Sequence, residues 1–137
     1  MGMEEKNMSH NKLQSAAFLW MWNEHPELRY LCFRTMNNLT TQIADPNKAK
    51  AVMAVQRSMG MVKGTTDLVF YYAGRLYAFD IKVGKDRLKP EQVEFISAIK
   101  AQGGYGCEIR SLEQFKDIIR RIVNGEGHYR LGFLLRR

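Results

Sequence analysis

The 137-residue sequence predicts an α/β domain with a central mixed sheet flanked by helices. Two observations carry this. Segments with apolar residues at helical spacing alternate with short aromatic and β-branched runs, in the order α-β-α-β-β-α-β-α. The clearest hairpin, residues 68–72 and 75–83, is apolar on both faces: Val69, Tyr71, Leu76 and Ala78 on one, Leu68, Phe70, Tyr77, Phe79 and Ile81 on the other. Strands of that kind belong in the middle of a sheet with helices on both sides. With 45% hydrophobic residues, the chain is long enough to bury one core without disulfides or a structural metal.

Residues 1–8 are polar with scattered Met and read as a flexible lead-in. Leu13, Ala16, Ala17, Phe18, Trp20 and Met21 recur at helical spacing, so residues 9–23 predict an amphipathic helix that Ser9 or Asn11 can cap. Beyond Pro26, residues 29–35 predict a first strand. Asp45-Pro46 supplies an N-cap and a first helical residue for a helix through Val52 and Met53, with Gly60 as its stop. The hairpin follows. Pro90 then opens a helix through Val93, Phe95, Ile96 and Ile99 that ends at Gly103-Gly104. Residues 105–110 predict a last strand, and Ser111 with Gln114 forms a capping box for a final helix to about Val123. Residues 9–123 therefore make one domain, and 124–137 a basic tail.

Chemistry concentrates at the hairpin. A two-residue turn at Ala73-Gly74 sets a register in which Asp67 lies directly opposite Asp80. Opposed like charges destabilise a ladder, and a divalent cation between them is one reason to keep them. Lys82 shares the face of Asp80 by the two-residue period of a strand. Two carboxylates and an ammonium suit phosphodiester hydrolysis: the acids hold Mg²⁺ or Mn²⁺, which oxygen ligands favour over zinc, and the lysine orients water or neutralises charge. Gln92, in the first turn of the next helix, is placed to hold the lysine, the water or a phosphate. Taken singly, each residue also has a plain structural role: Asp67 ending a strand, Asp80 pairing with Lys82, Gln92 opening a helix. Taken together, charged groups converging on otherwise apolar central strands point to a site.

The run Gly60-Met61-Val62-Lys63-Gly64-Thr65-Thr66-Asp67-Leu68, the aromatic hairpin, Phe79-Asp80-Ile81-Lys82 and Leu88-Lys89-Pro90-Glu91-Gln92 resembles the PD-(D/E)XK nuclease superfamily, specifically its VRR-NUC branch. That branch typically reads Gly-Val-x-x-Gly-x-x-Asp-Leu, Glu-x-Lys on a strand, and Ser-x-x-Gln opening a helix. Leu13-Gln14, Trp20, residues 26–29 and Asn37-Asn38 look like its phage-type members, so the resemblance spans about residues 9–120. It implies an α-β-β-β-α-β restriction-endonuclease-like core and a Mg²⁺- or Mn²⁺-dependent DNA endonuclease related to Holliday-junction resolvases, with branched, flap or junction DNA as substrate. Asp67, Asp80 and the Ile81 carbonyl would be metal ligands, Lys82 catalytic, and Gln92, Gln14 and Asn38 supporting. Two positions depart from the pattern. Asp80 stands for the usual Glu, and where the first helix commonly carries a Glu this chain has Ser9, His10 and Asn11, with His10 as the candidate substitute ligand.

A net charge of +7 suits a polyanionic partner. Lys63, Lys85, Arg87 and Lys89 flank the motif, and Arg130, Arg136 and Arg137 lie in the tail; these are the candidate DNA contacts. The alternative function is a nucleic-acid-binding module on a degenerate nuclease fold. Cutting two strands symmetrically wants a C₂ homodimer, for which Phe18, Trp20, Trp22 and the apolar residues 131–135 are candidate contacts. No run approaches the ~18 apolar residues of a membrane span, and there is no signal-type region, so a soluble cytoplasmic protein is expected. A phage or prophage origin enters only through the resemblance to the phage-type members, and the residues leave a viral and a bacterial source both open. Cys32 and Cys107 sit in predicted strands without a Cys-x-x-Cys or Cys/His cluster and read as reduced core residues.

Overall fold

The computed structural model describes residues 9–35 and 43–125. Its elements are α1 (His10–Glu24), a 3₁₀ turn (Pro26–Leu28), β1 (Cys32–Arg34), α2 (Pro46–Ser58), β2 (Leu68–Tyr72), β3 (Arg75–Ile81), α3 (Pro90–Ala101), β4 (Tyr105–Ile109) and α4 (Leu112–Val123). The predicted caps form: Ser9 Oγ accepts from Lys12 N–H at 3.1 Å, Asp45 Oδ1 from Asn47 N–H at 2.9 Å, and Ser111 Oγ from Gln114 N–H at 3.1 Å. The Gln114 side chain differs from a simple capping box in reaching past Ser111 to accept from Arg110 N–H at 2.7 Å.

The four strands make one mixed sheet in the order β1-β2-β3-β4, antiparallel except for the parallel β3–β4 pair. Tyr72 pairs with Arg75 across the turn, where Ala73 and Gly74 both adopt positive φ (50° and 82°) as a type I′ turn requires. The predicted register follows, down to Leu68 opposite Phe79. The hairpin is central, as expected. The first strand is shorter than expected, because the 3₁₀ turn and Tyr30, at φ 77°, hold residues 26–30 out of the sheet.

One sheet face carries the core. Leu68, Phe70, Tyr77, Phe79 and Ile81 pack against Leu13, Ala17 and Met21 of α1 and Phe115, Ile118, Ile119 and Ile122 of α4. Phe115 is fully buried between the rings of Phe79 (5.7 Å, edge-on) and Trp20 (6.1 Å, edge-on). Phe115→Ala is therefore expected to cost about 3–5 kcal/mol, read as a fall in denaturant midpoint at unchanged slope.

On the opposite face α3 covers β3 and β4. A Cβ at Gly106 would stand 2.8 Å from Ile96 Cγ2, so glycine lets this helix sit directly on β4. The expected cover on both faces holds there but not over β1 and β2, where Phe33 and Tyr71 remain about half exposed. The reason is that α2 buries none of its residues. Cys32 and Cys107 are free and buried in β1 and β4, and burial pushes both thiols up to about 12, which keeps them protonated and inert. Among the described residues no helix is long and apolar enough to cross a membrane.

Candidate active site at the end of the central strands

Beyond the last paired residues of β2 and β3, the two aspartates continue the ladder with their side chains. Asp67 N–H donates to Asp80 Oδ1 at 3.2 Å, and Ile81 N–H donates to Asp67 Oδ2 at 2.8 Å. Each carboxylate thus takes a backbone donor from the other strand, which holds the two acids face to face. Lys82 N–H pairs with Ile109 O at 3.0 Å, on the β4 side. By strand alternation the N–H and C=O of Ile81 then lie on the β2 side, with Asp67.

The loop before Asp67 is fastened from three directions. Thr35 N–H donates to Asp67 O at 3.0 Å and Thr35 Oγ1 to Thr66 O at 2.6 Å, while the buried Thr66 hydroxyl donates to Leu68 O at 3.1 Å. Gly64, at φ +94°, lies against the start of α3, where a Cβ would stand 2.6 Å from the carbonyl carbon of Glu91. The glycine and threonines of the motif are thus explained by packing. Thr35 and Thr66 position the acid and were not singled out by sequence; only their hydroxyls facing a buried turn give them a role.

Lys82 and Asp80 are both buried, at 7% and 1% exposure, with Lys82 Nζ 3.0 Å from Asp80 Oδ2. The ammonium lies within ion-pair distance but outside hydrogen-bonding geometry, so Asp80 Oδ2 is a buried oxygen without a hydrogen-bond partner. Burial raises the Asp80 carboxyl to about 6, and the negative charge of Asp67 adds to this, with Lys82 opposing.

His10 joins the cluster from the first turn of α1, its Nε2 2.9 Å from Asp67 Oδ2. That bond raises His10 above the ordinary histidine value. Burial pushes Asp67 up as well, but the bonds from His10 and Ile81 N–H outweigh it and leave the carboxyl below its ordinary value. His10 Nε2–H therefore covers one Asp67 oxygen, and a ring nitrogen donating in this way does not serve as a metal ligand at the same time.

The structure thus brings together His10, Asp67, Asp80, the Ile81 backbone and Lys82. Gln92 is held elsewhere: its Oε1 accepts from Lys89 N–H at 2.9 Å, closing the first turn of α3, which is the plain structural role. Gln14 lies one turn beyond His10, half-buried. Lys63 stands 3.9 Å from Glu91, and Lys85, Arg87 and Lys89 are exposed on the loop between β3 and α3. Trp20 packs on Phe115 and under Arg120, so it belongs to the core rather than to a candidate interface. Residues 1–8, Asn37, Asn38, Arg130, Arg136, Arg137 and the apolar run 131–135 lie outside the described residues, as does all but the start of the basic tail.

Among the described residues, no three or more His, Cys, Asp or Glu side chains are grouped to hold a metal ion. No family model, curated protein or solved structure matches this chain.

Proposed function

We propose that this chain is a Mg²⁺- or Mn²⁺-dependent nuclease that hydrolyses phosphodiester bonds in DNA, of the kind its resemblance to the VRR-NUC branch implies. The observation that carries this is the pair of buried carboxylates of Asp67 and Asp80, set opposite each other at the end of the central strands with the buried Lys82 ammonium 3.0 Å from Asp80 Oδ2. Two opposed carboxylates in so dry a place oppose each other's ionisation, and a divalent cation between them offsets that cost. The donors suit a hard cation that keeps most of its own waters: two carboxylates and the Ile81 carbonyl, all oxygen. Bound there, such a cation would polarise a phosphate and lower the pKa of a water.

The chain's own residues supply the rest. Asp67 and Asp80 are held face to face and aligned by the exchanged backbone bonds, so little ordering is needed at the moment of binding. The Lys82 ammonium is in place to donate to an attacking water or to a phosphate oxygen and to offset the charge that develops on it. His10 fixes the rotamer of Asp67 and takes the place at the first helix where the resembling proteins carry a carboxylate. The run α1-β1-β2-β3-α3-β4, with α2 inserted, also suits the reading. A pair of copies would supply the two sites that symmetric cutting of branched DNA needs.

The test is incubation with single-stranded, duplex, flap and four-way-junction DNA in Mg²⁺, in Mn²⁺ and in EDTA. Cleavage in metal and none in EDTA is the expected result. Salt-sensitive binding without cleavage of any form would overturn it in favour of a binding module.

A further inference from the structure

On the reading of the site as a phosphodiester hydrolase, we infer that the depression beside it, lined by Gly84, Lys85, Arg87, Leu88, Glu108 and Arg110, seats a flanking phosphate of the substrate strand, and that Arg110 is the positioning residue that shapes it. The depression is open, with a volume of about 820 Å³, room for a phosphate with its sugar. The parallel register sets Asp80 against Glu108, so Glu108 and Arg110 share the sheet face of Asp80 and Lys82, one strand away. That separation is about 4.8 Å, within the reach of a single nucleotide.

Three cations line this space against one acid, and the acid is already engaged: Glu108 Oε2 accepts from Arg110 Nη2 at 2.6 Å. Lys85 and Arg87 carry no ion pair among the described residues and are exposed. Their charge is therefore available to a ligand.

Arg110 also binds the loop. Its Nη1 donates to Gly84 O at 3.1 Å and its Nη2 to Asp86 O, bridging β4 to the loop that begins two residues after Lys82. Within the loop, Asp86 N–H closes a turn on Val83 O at 3.2 Å. A planar guanidinium with several fixed donors holds two carbonyls and a carboxylate at once, which a lysine cannot do. The placement of Lys85 and Arg87 relative to Lys82 thus rests on Arg110. Phosphate contacts of this kind fix the register of a strand without reading its bases.

The experiment measures binding of labelled single-stranded and duplex DNA in EDTA as a function of salt, for the native chain, the double variant Lys85→Ala/Arg87→Ala, Arg110→Ala and Arg110→Lys. Both replaced loop residues are exposed, so folding is not at stake in the double variant. Its affinity is expected to fall at least tenfold, and its slope of log affinity against log salt by about 1.5. Arg110→Ala, melting checked alongside, is expected to raise the KM for cleavage about tenfold with a much smaller change in kcat, and Arg110→Lys not to restore it. An unchanged salt slope in the double variant overturns the subsite, and an unchanged KM in Arg110→Ala overturns the positioning role. If the native chain cuts no DNA yet the double variant loses slope, the nuclease reading falls and the phosphate subsite stands. If the native chain cuts and the slope is unmoved, the reverse holds.

Discussion

Asp80→Asn is expected to abolish metal-dependent cleavage while raising the melting temperature of the metal-free protein at neutral pH. The carboxyl of Asp80 is buried, faces Asp67, and has its pKa raised from 3.8 to about 6 even with Lys82 3.0 Å away. That balance already includes the attraction to Lys82, so the charge is net unfavourable for folding. A shift of about two units corresponds to about 3 kcal/mol. The amide replacing Oδ2 would face the ammonium and return part of this, leaving about 2 kcal/mol, or about 5–8 °C.

The pH dependence follows from the directions of the shifts. Asp80 is raised, so its contribution to stability is full below about 4 and is lost as pH rises through about 6. His10 is raised too, so its bond to Asp67 contributes fully below 6.5 and is lost as pH rises through its folded value. Asp67 is lowered, so its contribution is present above 3.8 and lost as pH falls through its folded value. The metal-free protein is therefore expected to be most stable near pH 4, to lose the Asp80 contribution between about pH 4 and 6, and to lose the His10 part as pH rises above 6.5. In Asp80→Asn the decline between about pH 4 and 6 is expected to disappear, leaving only the His10 part at higher pH. Denaturant titrations in EDTA across pH 4–8 check this, and a variant less stable than the native chain at pH 7 would show that the Asp80 charge is favourable where it lies.

Lys82→Met is expected to lose cleavage and to destabilise, in a pH-dependent way that the double variant with Asp80→Asn reverses. Removing the ammonium leaves the buried Asp80 without its cation, and breaking one side of a buried pair is costly. The carboxyl escapes part of the cost by holding its proton, so the loss is about 2 kcal/mol near pH 7 and grows toward pH 9. Below about pH 5 it shrinks, since Asp80 is then protonated in both proteins. In Asp80→Asn/Lys82→Met neither charge is buried, and stability is expected to match that of Asp80→Asn alone, above the native level, while activity stays absent. A double variant about 2 kcal/mol less stable than Asp80→Asn alone, the additive result, would mean that the two side chains do not act as a pair.

Much of this arrangement follows from local rules that can be read along the chain. The turn at Ala73-Gly74 sets the hairpin register, and the two-residue period then brings Asp67 to Asp80 and Lys82 to the same face. Helix starts at Ser9, Asp45, Pro90 and Ser111 are local hydrogen-bonding choices, made within three residues of each cap. The apolar faces of the hairpin mark it as central for the same reason: each strand carries its own burial pattern.

What lay beyond the sequence depended on segments far apart in the chain. His10 meets Asp67 across 57 positions only because α1 packs Leu13, Ala17 and Met21 on the sheet and so aims its first turn at the strand ends. Arg110 reaches a loop 24 and 26 positions earlier through the parallel pairing of β3 and β4, and the exposed face of β1 and β2 follows from where α2 and α3 do not lie. Gln92 turned to its own helix because a near backbone N–H is an easier partner than a lysine on another element. By itself, then, the sequence determined the elements, the hairpin register and the acid–acid–lysine cluster, because these depend on neighbours within a turn or a ladder. The tertiary structure alone decided that His10 binds an oxygen of Asp67 and which arginine shapes the loop, because those depend on how elements far apart in the chain pack on the sheet.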